Sequence, residues 1–130
     1  MGLAERRQMQ TLQHAVLPAR AEEIAEICGR AVPYAVDWHS FAHDPEALRF
    51  VDSLACHRVN MALRVICQDE TGRAAVRDGL RAVALANAPD PSAMAMTFDG
   101  GVLTLRGAWA HRSAGMFDDG AIRALLEAAL

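Results

Sequence analysis

The chain has 130 residues, of which 52% are hydrophobic and 22% are charged, and its formal net charge is −3. A chain of this length buries enough surface for one hydrophobic core, so we expect a single domain over residues 1–130. The composition excludes intrinsic disorder, and the slightly acidic charge argues against nucleic-acid binding, which needs a positive surface. No apolar run approaches the length of a membrane span, so we expect a cytoplasmic protein without membrane contact.

The basic residues and the cysteines exclude several chemistries. All 13 basic residues are arginine, which excludes a lysine Schiff base and the lysine of a phosphate-binding loop. Cys28, Cys56 and Cys67 are odd in number and lack a Cys-x-x-Cys pair, so neither a zinc site nor a disulfide framework is indicated. We therefore expect free thiols in a reducing cytosol.

Two helices are predicted at the N-terminus. Apolar residues recur at helical spacing over residues 3–16, and Pro18 is expected to end that helix. A second helix is predicted from Ala19 to Cys28. Residues 1–17 would then form a helical arm, packed on the body or paired with a second copy, outside a core of residues 18–130.

The longest predicted helix lies in the middle of the chain. Asp44, Pro45 and Glu46 form a helix start, and apolar residues at steps of three and four continue to about Gln68. Some 22 residues at ~1.5 Å each span on the order of 33 Å. We expect one continuous helix that covers a sheet, followed by a shorter helix that ends at Gly79.

Alternating apolar residues predict four strands. One lies within residues 31–38, a second within 80–87, and the clearest pattern is a hairpin of Met94–Phe98 and Leu103–Leu105 about an Asp99-Gly100 turn. The short connections favour an antiparallel arrangement. The predicted fold is therefore an α+β two-layer sandwich, in which a long central helix covers an about four-stranded, mostly antiparallel sheet, with additional N- and C-terminal helices.

A cluster of histidine and acidic residues is the strongest candidate for metal or acid–base chemistry. Asp37, His39 and His43 precede the central helix beside Asp44, and His57 follows within it. Histidine is the commonest transition-metal ligand, and a neighbouring carboxylate can orient its ring. The spacing matches no known motif, so the alternative is that these histidines lie at the surface while nearby aromatic residues anchor the loop.

The polar face of the central helix is the candidate interaction surface. Its residues follow steps of three and four, which place them on one side of a helix, and Asn and Arg supply directional hydrogen bonds. A solvated helix face is the alternative interpretation. With a loop that carries Met and Phe, the candidate binding residues are Arg49, Ser53, His57, Asn60, Arg64, Met116 and Phe117.

The residues favour a small cytoplasmic, non-catalytic protein-interaction or regulatory domain without a cofactor, which acts as a homo-oligomer or with a protein partner. Two alternatives stay open. One is a small metal-dependent enzyme or metal-binding protein that uses Asp37, His39, His43 and His57 with a divalent metal. The other is a small-ligand-binding domain with a pocket between the sheet and the central helix.

Overall fold

Five α-helices and one four-stranded sheet organise the computed structural model, which describes residues 2–130. The α+β class and the number of strands predicted from the sequence are confirmed. The helices are α1 (Leu3–Thr11), α2 (Leu17–Cys28), α3 (His57–Ile66), α4 (Glu70–Gly79) and α5 (Asp119–Ala129). The strands are β1 (Tyr34–Val36), β2 (Ala82–Asn87), β3 (Ala95–Asp99) and β4 (Val102–Gly107).

The sheet is mixed and mostly parallel, so the prediction of a mostly antiparallel sheet is wrong. The strand order is β1-β2-β4-β3; β1 and β4 both run parallel to β2, and only β3 and β4 are antiparallel. The reason lies in the connection of residues 88–94, which is too long for a tight hairpin between β2 and β3. The β3–β4 hairpin then folds back and places β4 beside β2.

The two faces of the sheet differ in what covers them. Val83 and Leu85 of β2, with Leu103 and Leu105 of β4, lie in the hydrophobic core. The alternate side chains point the other way, and most of them are exposed. We call this second side the open face; its central row contains Ala35, Ala84, Thr104 and Thr97 in register.

The segment predicted as one continuous helix is divided among three helical geometries. Residues Pro45–Phe50 form a 3₁₀ helix, Val51–Cys56 form a π-helical turn, and α3 follows. Phe50, at φ −112° and ψ 1°, departs from helical geometry at the first junction. Buried apolar side chains nevertheless run from the 3₁₀ helix through α3, so the whole segment faces the core.

Pro18 does not break the N-terminal helix, contrary to the prediction. A π-helical turn over Leu12–Val16 joins α1 to α2, and Leu17 N–H bonds to the Leu12 carbonyl five residues earlier. Pro18 then falls in the first turn of α2, where its missing N–H costs little. The helix ends at Gly29, whose φ of 92° is the left-handed conformation that glycine adopts readily.

A disulfide bond joins the ends of α2 and α3, so the prediction that all the cysteines are free is wrong. The structure bonds Cys28 to Cys67, whose Cα atoms are 5.6 Å apart, and leaves Cys56 free and buried. The two bonded residues are 39 positions apart, so no local spacing signals the pair.

Among residues 2–130, no helix is both long enough and apolar enough to cross a membrane.

Candidate functional site

A buried asparagine connects three elements of the fold. Asn60 of α3 is only 1% exposed. Its Nδ2 donates hydrogen bonds to Glu23 Oε1 at 2.5 Å and to the Arg20 carbonyl at 3.2 Å, both on α2. The Tyr34 hydroxyl of β1 donates to Asn60 Oδ1 at 2.7 Å. One side chain therefore fixes α2 and β1 relative to α3.

Ion pairs extend this cluster toward the surface. Arg20 Nε lies 2.7 Å from Asp52 Oδ1, and Arg20 Nη1 lies 3.0 Å from Glu23 Oε1. Arg64 approaches Glu23 at 3.5 Å with a half-exposed side chain, so this pair contributes less. We call Arg20, Glu23, Tyr34, Asp52 and Asn60 the Asn60 network.

The ionisable groups of this region are held in defined protonation states. The hydrogen bond from Asn60, followed by that from Arg20, lowers the pKa of Glu23 below its usual value. The hydrogen bond to Asp52 raises the pKa of Arg20. Burial raises the pKa of Tyr34 well above its usual value and that of the Cys56 thiol to about 12. At neutral pH Tyr34 and Cys56 are therefore neutral, and neither supplies a base or a thiolate nucleophile.

A groove of about 290 Å³ lies beside this network, between the N-terminal helix and β1. Its walls are mostly apolar and include two aromatic side chains. We call it the β1 groove; its lining residues are Gln13, Leu17, Pro18, Ala21, Pro33, Tyr34, Ala35 and Trp38.

The outer edge of β1 carries unpaired backbone groups. Val83 N–H donates to the Pro33 carbonyl, and Asp37 N–H donates to the Leu85 carbonyl. These two bonds show which backbone groups around β1 point toward β2. Backbone groups alternate in direction along a strand, so those of Tyr34 and Val36 point away from β2. Within residues 2–130 these outward N–H and carbonyl groups have no hydrogen-bond partner.

The structure separates the residues of the predicted histidine and acidic cluster. Asp37, His39 and His43 are exposed, in and beside the short helix that follows β1. Asp44 accepts a hydrogen bond from Asn87 Nδ2 at 3.2 Å. His57 lies on α3 and lines a separate surface pocket with Arg58, Met61 and Asp119. In the part of the chain that the structure describes, no three His, Cys, Asp or Glu residues are grouped to hold a metal ion.

The predicted interaction face also divides on folding. Arg49, Ser53, His57 and Arg64 are exposed, as a solvated helix face requires. Asn60 is buried instead, because α2 packs against it and supplies its hydrogen-bond partners, the Arg20 carbonyl and Glu23. Met116 is buried and Phe117 is half-buried; Arg58 donates hydrogen bonds to both of their carbonyls.

The carboxyl ends of the parallel strands are closed by packed side chains. Trp109 is fully buried and stacks on Phe41, with ring centroids 5.8 Å apart. Asn87 Oδ1 and Trp109 Nε1 are buried there without hydrogen-bond partners among residues 2–130. Ligands of parallel sheets often bind at this end, but here aromatic rings fill the space.

Sequence reasoning identified Asn60 but missed Arg20, Glu23, Tyr34 and Asp52. The spacing of Arg20 and Glu23, three residues apart on a helix, is the one local signal that could have pointed to them. Comparison with known proteins found no match among protein families, curated proteins or solved structures.

Proposed function

We propose that the protein is a non-catalytic interaction domain that binds an extended peptide segment of a partner protein along the outer edge of β1. The observation that carries this proposal is the unpaired backbone of Tyr34 and Val36 beside the β1 groove. An extended peptide adds a strand to such an edge; its backbone supplies the hydrogen bonds and its alternate side chains enter the neighbouring groove.

The Asn60 network supports this role because it joins the two walls of the groove. Arg20 and Glu23 belong to α2, Tyr34 belongs to β1, and Asn60 bonds to all three. A groove whose walls are fixed before binding loses little conformational entropy when a peptide enters. The network is therefore a positioning device for the binding surface.

The lining determines the kind of peptide. Leu17, Pro18, Pro33 and Trp38 offer apolar contacts, and the lining contains no charged side chain. The preferred segment therefore carries apolar side chains at alternate positions. The three residues of β1 pair with only about 10 Å of extended chain, so we expect modest, micromolar affinity.

The experiment starts from a phage-displayed library of random linear peptides selected against the folded protein. A selected synthetic peptide is titrated while the tryptophan fluorescence, to which both Trp38 and the buried Trp109 contribute, and the backbone amide NMR signals are followed. We expect shifts confined to β1, Trp38 and the first turns of α2. Methylating the backbone nitrogens of the peptide should weaken binding at least tenfold, because each methyl removes a donor to the outer edge of β1.

A matched pair of variants locates the site. Ala21→Trp fills the groove and should abolish binding, whereas Ala21→Ser preserves its volume and should bind as the wild type does. The proposal is wrong if the selected peptides bind Ala21→Trp equally well, if N-methylation has no effect, or if the NMR shifts map elsewhere.

A further inference from the structure

The open face of the sheet is unusual for strands of this direction. Three of the four strands are parallel, and parallel strands are normally covered on both faces. Here the apolar side chains of β2 and β4 that enter the core lie on one face only. The opposite face carries small side chains in its central row, so another backbone could approach it closely.

Two charged residues stand at opposite ends of the open face. Arg106 lies on β4 opposite Ala95, and Asp99 lies on β3 opposite Val102. Both are exposed, and neither forms an ion pair with any other residue that the structure describes. On the β3–β4 half of the face, the charge is therefore positive toward one end and negative toward the other; the exposed Asp37, which follows β1, lies at the Arg106 end but on the far side of β2.

We propose that the open face binds a second copy of the chain, with the strands of the two copies running in opposite directions. A two-fold axis that lies between the two sheets, parallel to both and perpendicular to the strands, exchanges the two ends of the face. Arg106 is then brought over the partner's Val102, beside the partner's Asp99. Two identical ion pairs thus flank a contact between small side chains, and the charge pattern makes the β3–β4 half of the face complementary to itself.

The size of the face sets the strength of this contact. Four strands about 4.8 Å apart, one of three residues and three of five to six residues at about 3.3 Å per residue, make a face of roughly 320 Å². A standard stable interface buries about 800 Å² on each partner. The dimer is therefore reversible, and its population rises with protein concentration. Salt weakens it, because both ion pairs lie near the rim.

Sedimentation velocity from low micromolar to near-millimolar concentration tests this inference. We expect the weight-average mass of the wild type to rise toward that of a dimer. Ala84→Arg, at the centre of the face, should keep the protein monomeric, and Arg106→Glu and Asp99→Arg should each weaken association at least tenfold. The double variant Arg106→Glu/Asp99→Arg restores opposite charges and should recover most of the wild-type association.

Asp37→Arg provides the matched control, because Asp37 is an exposed acid beside the opposite corner of the same face. Arg106→Glu/Asp37→Arg should remain as weak as Arg106→Glu alone. Circular dichroism establishes whether each variant is folded. If Ala84→Arg does not fold, the charge-exchange variants at Arg106 and Asp99 test the dimer without it. A wild type that stays monomeric at every concentration, or recovery with Asp37→Arg instead of Asp99→Arg, overturns the proposal.

Discussion

The β3–β4 hairpin and β1 form opposite edges of the same sheet and are stabilised by different kinds of interaction. The hairpin consists of neighbouring strands joined by a two-residue turn, so its contacts are local in sequence. β1 instead pairs with residues of β2 about fifty positions away and bonds through Tyr34 to Asn60. The candidate binding groove lies on the side that long-range contacts assemble, and the following predictions probe that difference.

The largest change in the free energy of unfolding is expected when the Cys28–Cys67 disulfide is reduced. The Cys28–Cys67 bond closes a loop with a sequence separation of 39, and the chain-entropy estimate for such a loop is roughly 4 kcal/mol. A reducing agent should lower the free energy of unfolding by about that amount, as measured by urea denaturation. The variant Cys28→Ala/Cys67→Ala should not respond to the reductant, and a wild type that does not respond either would refute the bond.

The Asn60 network is expected to contribute the next largest share. Asn60→Ala removes the 2.5 Å hydrogen bond to Glu23, which keeps only its Arg pairs, and the 2.7 Å hydrogen bond from Tyr34, which keeps only the Cys56 carbonyl at 3.4 Å, so we expect a loss of about 2–3 kcal/mol in urea denaturation. Ser53→Ala is the control, because Ser53 precedes Asn60 by two helical turns and is exposed; it should change stability by less than about 0.5 kcal/mol. Equal effects for the two variants would contradict the role of the network.

On the hairpin side, the turn between β3 and β4 gives a smaller effect. Gly101 has φ 83°, and an added Cβ would lie 3.1 Å from the Gly79 carbonyl oxygen. Gly101→Ala should therefore cost about 1–2 kcal/mol in thermal or urea unfolding. Gly100 has φ 59° and open space around it, so Gly100→Asn should change stability by less than about 0.5 kcal/mol. A larger loss of stability for Gly100→Asn than for Gly101→Ala would show that the turn has another geometry.

The smallest expected effect is a change in how the free energy of unfolding depends on pH in acid. The pKa of Glu23 is lowered in the folded state, so its stabilising contribution is complete above its usual pKa and is lost as the pH falls through the lowered value. Glu23→Gln should therefore flatten the acid limb of the stability curve. The pKa of Glu70 is lowered too, by Arg77 and Arg73, but this carboxylate is fully exposed. Glu70→Gln should change that limb less, and a larger change than for Glu23→Gln would count against the network.

The same contrast explains which parts of the fold could be predicted. The hairpin was predictable because alternation and a glycine turn act over a few residues. The parallel pairing of β2 with β4 was not, because it depends on where residues 88–94 lead the chain. The continuation of the helix through Pro18 depends on a π-helical turn over Leu12–Val16, which no pattern in the sequence predicts.

The candidate site was less predictable than the fold. Asn60 has the spacing of an exposed polar face, yet it is buried because α2 packs against it and supplies hydrogen-bond partners. Tyr34 gives no local signal for its bond to a residue 26 positions away. The disulfide is similar, since Cys28 and Cys67 become neighbours only when the ends of α2 and α3 meet.

Hydrogen–deuterium exchange at the backbone amides of β1, followed by NMR with and without a selected peptide, tests the central claim most directly. In the free protein, Tyr34 and Val36 should exchange rapidly, while Ala35, which bonds to β2, should be protected. Peptide binding should slow Tyr34 and Val36 toward the rate of Ala35. If all three amides are equally protected without peptide, the outer edge of β1 is already paired and is not a docking site.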